Sequence, residues 1–287
     1  MRAFLTGATG TVGREVYRAL RGRGVEVRIA ARRSRALADT LAGASDVVVF
    51  EFEAPSISPT RFEGVDAFFF MTPLIETQDS ASLRVLNAAI EAGVHHIVRL
   101  SSRAAGWDER SKLRNWQREV DDAVTESEAG WTILRPCSLF QNFIHDQAEA
   151  IRTMSSIIVP QGDGLIPYVD ALDIGDAAAE CLMYPVEHQG KTHVLTGSRA
   201  YGAKGVAAEI GRMIQKPLTY IDLEEAQSRD MMLQAGMPPW LVEARLAVFA
   251  HAKAGGEAAV DPALSRIIGR PATSLSEFVD RNRDAWQ

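Results

Sequence analysis

Short β-branched and aromatic runs alternate with amphipathic stretches through the first half of the chain. Arg2 to Thr6 reads as a strand. A glycine turn then leads into a helix over about Val12 to Arg21, where Val12, Val16, Ala19 and Leu20 recur on one face. Gly22 and Gly24 punctuate its end, and Val25 to Ala30 is the second strand. A short helix is expected over Ser34 to Ala42 and a third strand over Asp46 to Phe52. Val65 to Met71 predicts a fourth strand, Asp79 to Ala92 a long helix, and Val94 to Ser101 a fifth strand. A helix from about Ser111 to Ser127 and a sixth strand over Trp131 to Arg135 complete this half.

Strands separated by helices of this length imply a parallel sheet covered on both faces, a doubly wound α/β arrangement. Near-continuous apolar strands such as Val47-Val48-Val49-Phe50 fit burial on both sides. The second half is less regular. It predicts a helix over Leu139 to Met154, a turn at Pro160 to Gly164, a helix over Asp173 to Met183, and a strand over Thr192 to Thr196 returning to the sheet. Beyond Gly197 the pattern is mostly helical, with a short strand over Thr219 to Asp222 and a last helix starting at Ser274, which has capping-box spacing to Glu277. The expected division is a nucleotide-binding part over 1–136 plus about 160–198. About 137–159 plus 199–287 would form a smaller, mostly helical C-terminal part that caps the substrate.

The balance of 31 Lys and Arg against 37 Asp and Glu gives a net charge of −6, which lacks the basic footprint of a nucleic-acid binder or of a protein drawn to anionic membranes. The apolar runs fall well short of the ~20 residues that span a bilayer. Cys137 and Cys181 are the two cysteines and form no CxxC pair, so neither a disulfide framework nor a structural zinc site is expected. No His, Asp or Glu set shows metal-ligand spacing, so no metal is expected. With no secretory leader read at the N-terminus, the expectation is a cytoplasmic protein acting on a small molecule, its oligomeric state open between monomer and homodimer.

Chemistry concentrates in Thr6-Gly7-Ala8-Thr9-Gly10-Thr11-Val12-Gly13, a GxxGxxG run between the first strand and the first helix. One glycine permits the turn, another lets backbone approach a pyrophosphate, and the third allows close helix–strand packing. The phosphates then meet the N–H groups at the positive end of the helix. After the second strand, an NAD site would carry an acid for the ribose 2′-hydroxyl; this chain has Ala30-Ala31-Arg32-Arg33. A guanidinium fork suits a 2′-phosphate, so NADP(H) is expected over NAD, with Arg32 first and Arg33 second. The bland alternative is that Arg32, Arg33 and Arg35 belong to a solvated basic face with Arg21, Arg23 and Arg28. Glu51 and Phe52, at the end of the third strand, would lie beside adenine, or either could equally be an ordinary strand-end residue.

Several further strings then add up. Trp131-Thr132-Ile133-Leu134-Arg135-Pro136, Phe140-Gln141-Asn142-Phe143, Pro160-Gln161-Gly162-Asp163-Gly164, Tyr168-Val169-Asp170 and Gly269-Arg270-Pro271, with the glycine turn and Arg32, make the chain resemble NmrA-like atypical short-chain dehydrogenase/reductases along essentially its whole length. It also resembles the triphenylmethane reductases and NADPH:quinone reductases of that branch. The resemblance implies a Rossmann-like fold that binds NADPH or NADP, with a helical roof over the substrate cleft. The branch includes reductases and also redox-sensing regulators without turnover.

One departure from the wider superfamily stands out. The segment expected to carry a Tyr-x-x-x-Lys proton donor, Ser111 to Asp121, has no tyrosine, and Gln117 takes the corresponding place. An amide donates hydrogen bonds but is no general acid near neutral pH. The expected acceptor is therefore quinone-like, iminium or otherwise conjugated, because hydride addition there demands little of an enzyme proton donor. A sensor of NADP(H) and a non-redox isomerase or cyclase are the rival readings.

Other positions complete the candidate site. Met71, Thr72 and Pro73 would line the cofactor trough, with Pro136 beside it. Phe140 is placed near the nicotinamide and Asn142 at a polar contact or helix cap. Ser101 and Ser102 are either substrate-orienting hydroxyls or plain turn serines. Trp107, Cys137, Met232 and Trp240 are candidate pocket residues, although apolar helical stripes usually pack inward.

Overall fold

The computed structural model describes residues 1–32, 41, 44, 46–108 and 111–287. Arg33 and, apart from Leu41, the helix expected over Ser34 to Ala42 lie outside the described residues.

Two compact units share the chain, each assembled from separate stretches. The first comprises 1–136, 171–195 and 266–269. Its elements are β1 (Arg2–Leu5), α1 (Thr11–Gly22), β2 (Glu26–Ala31), β3 (Asp46–Val49), β4 (Ala67–Met71), α2 (Gln78–Glu91), β5 (His96–Leu100), α3 (Lys112–Thr125) and β6 (Gly130–Pro136). The second unit interrupts with α4 (Asn142–His145), α5 (Ala148–Met154) and β7 (Ser156–Ile158). The first then resumes with α6 (Ala171–Met183), α7 (Pro185–His188) and β8 (Lys191–Leu195). The remaining elements are α8 (Ala203–Ile214), β9 (Thr219–Ile221), α9 (Glu225–Gln234), α10 (Pro239–Lys253), α11 (Ala263–Ile268) and α12 (Leu275–Arg281).

In the first unit seven parallel strands run in the order β3-β2-β1-β4-β5-β6-β8. The order reverses between β1 and β4, and ligands of open α/β sheets settle outside the carboxyl ends of strands at such a point. The sequence accounts for the sheet's depth. In β4, Ala67 to Phe70 are all buried, so consecutive phenylalanines serve opposite faces. Phe4, Phe62, Phe68 and Phe70 form a chain of rings with neighbouring centroids 4.4 to 5.2 Å apart, roofed by Val85 and Leu86 of α2 and Val120 and Val124 of α3. Each such ring contributes about 1.5–3 kcal/mol by leaving water. On the other side α1 packs against α6, which also lies along β4, β5 and β6.

The second unit has its own core. Phe140, Phe143, Ile157, Tyr168, Phe278 and Trp286 are buried together, beside a two-stranded parallel pair of β7 and β9. The contacts assign 160–170 to this unit, where the sequence had put it in the first. The physical reason is local pairing: Ile166 and Tyr201 exchange backbone hydrogen bonds of 3.0 and 2.9 Å, while Phe140 N donates to the Val169 carbonyl and Val169 N to the Ser138 carbonyl, both at 3.0 Å. The single helix expected over Leu139 to Met154 is two, broken around Asp146 and Gln147. The third strand stops at Val49, which leaves Glu51 exposed and Phe52 half-buried in the following turn, its ring against Phe50. Ser274 and Glu277 form the expected capping box at the start of α12.

Candidate cofactor site

Thr6 closes β1 by stapling it to β4. Its buried hydroxyl donates to the Met71 carbonyl at 2.8 Å and accepts from the Met71 amide at 2.9 Å, so the two strands that flank the reversal end level. The chain then turns at Gly7, whose φ of +68° is a left-handed conformation natural to glycine. A Cβ there would stand 1.9 Å from the Met71 methyl. Gly10 closes the turn by donating to the Gly7 carbonyl at 2.9 Å. Gly13, in the first turn of α1, faces the same carbonyl: a Cβ would lie 2.0 Å from its oxygen and 2.9 Å from Ala8 Cα. The loop therefore rests directly on the helix.

The start of α1 is left open. Gly10 at its N-cap offers no side chain, and the first turn, Thr11 to Arg14, has no acid. Its amides and its positive end are thus presented without a resident carboxylate, the arrangement that receives a phosphate. Ala8 is buried and Thr9 exposed at the tip. Arg32 follows β2, exposed, with no described residue paired to it. A cradle that any Cβ would fill, an uncapped helix start and a cation after β2 together fit a dinucleotide carrying a 2′-phosphate. Thr72 and Pro73 follow β4, both half-buried.

Behind the carboxyl ends of β5 and β6 lies a buried polar cluster that no sequence pattern announced. Arg99, the penultimate residue of β5, is fully buried. Its Nη2 donates to Gln117 Oε1 at 2.8 Å, its Nε lies 3.7 Å from Asp121 Oδ1, and its Nη1 donates to the Leu100 and Phe70 carbonyls. Asp121 also accepts from Ser101 Oγ at 2.8 Å and from Arg135 Nη2 at 2.9 Å. Burial drives the Arg99 guanidinium down to about 10, opposed by Asp121. Burial likewise pushes the Asp121 carboxyl up against the pull of Arg99, Ser101 and Arg135. Two guanidinium groups and a hydroxyl converge on this one carboxylate and oppose the effect of burial.

This cluster takes up polar atoms of two predicted residues. Gln117, 7% exposed, has its carbonyl committed to Arg99, which leaves the amide N–H₂ as its donor end. Ser101 gives its proton to Asp121 and can offer a ligand only its lone pairs. Ser102 is a turn serine, its oxygen accepting from Ala104 N at 3.1 Å. Trp107 is buried, with its carbonyl accepting from Arg114 Nε at 2.6 Å. Pro136 ends β6, half-buried.

In the second unit Phe140 is not a cleft residue. Its ring is 1% exposed and stacks on Phe278 at 5.2 Å and Tyr168 at 6.1 Å, because the aromatic core claims it. Cys137 is buried and its thiol donates to the Pro167 carbonyl. A cavity of about 140 Å³ is lined by Asn142, Phe143, Tyr168, Arg245 and Phe249, among others. Arg245 pairs with Asp146 across 2.9 Å at its side. Asn142 lines this cavity, and Cys137, Met232 and Trp240 do not. Sequence reading did not single out Arg245 or Asp146, since an isolated charge on a helix or beside one reads as a solvated face.

Comparisons with known proteins agree with this geometry. A profile described as NAD(P)H-binding matches residues 7–184. A (4-alkanoyl-5-oxo-2,5-dihydrofuran-3-yl)methyl phosphate reductase from Streptomyces griseus is 31% identical over 285 residues, covering 99% of this chain and 98% of that protein. An NAD(P)H azoreductase from Xenophilus azovorans is 29% identical over 283 residues, with 99% and 98% covered. The crystal structure of an NADPH-dependent quinone oxidoreductase from Escherichia coli, complexed with NADPH, superposes with a TM-score of 0.87 at 26% identity over 99% of this chain and all of that one. The chain belongs to the NAD(P)H-binding family, and its expected resemblance to NADPH:quinone reductases is borne out.

Proposed function

We propose that the protein is an NADPH-dependent reductase of electron-poor conjugated acceptors, of quinone, azo or iminium type. The observation that carries the acceptor class is Gln117, an amide clamped by Arg99 where a proton-donating tyrosine would stand. The tyrosines of the first unit, Tyr17 on the buried face of α1 and Tyr184 exposed after α6, are both elsewhere. The azoreductase and quinone oxidoreductase names among full-length relatives support the same class.

The bound nicotinamide supplies the hydride. The chain's own residues bind and orient. Loop amides between Gly7 and Gly13 and the open start of α1 hold the diphosphate, and Arg32 grips the 2′-phosphate. Gln117 donates an N–H to a ribose or acceptor oxygen, and Arg99 fixes which end of the amide does so. The Gln117 amide is no general acid near neutral pH, so water protonates the reduced product. Only acceptors whose product is neutral or a delocalised anion tolerate that arrangement. The aromatic cavity of the second unit, with Asn142 and Arg245 at its polar side, suits a flat acceptor.

Stopped-flow oxidation of NADPH against benzoquinones, azo dyes, iminium dyes and aliphatic ketones tests the reading. Turnover with the conjugated acceptors is expected, and Gln117→Ala should raise KM more than it lowers kcat. Fast reduction of an aliphatic ketone that survives Gln117→Ala would overturn the acceptor class. Tight NADPH binding with no oxidation by any acceptor would instead make the protein a sensor.

A further inference from the structure

At the edge of the sheet farthest from β3, three potential metal ligands converge from α6, α7 and β8. Cys181 is fully buried on α6, His188 ends α7, and His193 is the third residue of β8. The cysteine sulfur and one ring nitrogen from each histidine all lie within 4.8 Å of one another. The two imidazoles meet edge to face with centroids 5.5 Å apart. His188 is 8% exposed, yet its Nδ1 has no hydrogen-bond partner. A buried polar atom left unsatisfied costs stability and calls for an explanation. The spacing, Cys-x₆-His-x₄-His, lies within one helix–turn–strand segment, which is why it escapes a search for familiar ligand patterns.

The frame around the three residues is built before any ligand arrives. Gln189 N donates to the Pro185 carbonyl at 2.7 Å, and Gly190 N to the Trp131 carbonyl at 2.7 Å, which ties the turn between α7 and β8 to β6. Thr132 Oγ1 donates to the His188 carbonyl at 3.0 Å and faces Nε2 of buried His96 at 3.2 Å. Glu180 and Glu187 add negative field near His188, against Lys191.

We propose that Cys181, His188 and His193 form a zinc site that pins the β8 edge of the sheet. One sulfur and two imidazole nitrogens are a borderline-soft donor set suited to tetrahedral Zn²⁺, with a fourth position open to water. Bringing the donors onto the ion requires side-chain movement on the order of 1 Å, given Zn–S and Zn–N distances of about 2.3 and 2.0 Å. The thiol gives up its proton as the metal enters. Three strands separate β8 from β1, and His188 precedes its strand, so the ligands gather toward the amino ends. The dinucleotide cradle is at the carboxyl ends. The site is structural and independent of the reductase reading.

The test uses the full chain stripped with a chelator and titrated with ZnCl₂ by calorimetry, then with cobalt(II) by absorption. One equivalent of zinc, a raised melting temperature and a thiolate-to-cobalt charge-transfer band are expected. His193→Asn, at a half-buried position, should still bind NADPH as the parent does while weakening zinc by more than about tenfold, the least that even outer partners of metal ligands cost. Cys181→Ser should abolish the sulfur band. Absence of zinc uptake by the parent protein, a cobalt spectrum without the sulfur band, or uptake unchanged in both variants would overturn the proposal.

Discussion

Gly13→Ala is the most direct probe of the cofactor cradle. The added methyl would begin 2.0 Å from the Gly7 carbonyl oxygen, and ordinary contact starts at 3.4 Å. The loop or the helix must therefore yield by 1.4 Å, and neither moves freely. Gly7 is held by its +68° backbone and by the Gly10 amide, while α1 is packed on α6. Overpacking of this kind costs about 1–3 kcal/mol of stability. Binding suffers separately, because a displacement over 1 Å breaks the alignment of loop amides with a diphosphate. One lost hydrogen bond to a charged oxygen costs about 1.5–3 kcal/mol, a weakening of NADPH of roughly ten- to a hundredfold. Calorimetric titration with NADPH and urea denaturation should read both losses in one variant. Parental NADPH affinity, within about twofold, in a folded Gly13→Ala protein would refute the assignment of the loop.

Four other outcomes follow from the same structure. Arg32→Ala should weaken NADPH by roughly ten- to a hundredfold, the value of a charge-assisted contact, and leave NADH unchanged; calorimetry with both nucleotides checks this. Asp121→Ala leaves Arg99 buried without its carboxylate and should cost about 3–5 kcal/mol in urea denaturation, whereas Gly205→Ala, exposed in α8 with nothing within 4 Å of the new methyl, should gain about 0.5–1 kcal/mol. The amide and hydroxyl of Ser274, 2.8 and 2.7 Å from the Glu277 carboxylate, hold that group below the ordinary carboxylate range. Its contribution is complete above the unfolded value of ~4.3 and fades as pH falls through the depressed one, so Glu277→Gln should flatten the acid side of a melting-temperature profile.

What was legible in the sequence is what is contiguous. The glycine turn, the strand before it and the amphipathic helix after it occupy about twenty consecutive residues, and each shows a local periodicity or a backbone requirement. The sheet was readable for the same reason, through runs such as Ala67 to Met71. The Arg99 cluster was not, because its members come from β5, α3 and β6, and an arginine in a strand carries no mark of being buried. The break between α4 and α5 has no Gly or Pro to announce it. Tertiary contacts make it: Gln147 Oε1 accepts from Ile158 N at 2.9 Å, and Asp146 pairs with Arg245. β7 was missed because a three-residue strand shows too little alternation, and Phe140 was misplaced because an aromatic near a cleft and one in a core look alike in sequence.

The interleaving of the two units along the chain bears on biosynthesis. When the ribosome has delivered Pro136, the growing sheet ends in β6 with an unpaired edge, and α1 still lacks α6 as its neighbour. Its last strand, β8, emerges only after 137–170 has been made. A fragment truncated at 136 would offer that bare strand to other nascent chains, the usual route to aggregation. Completion of the nucleotide-binding half therefore waits on translation well into the chain's second half, and a chaperone that shields β6 during that interval would raise the yield of soluble protein.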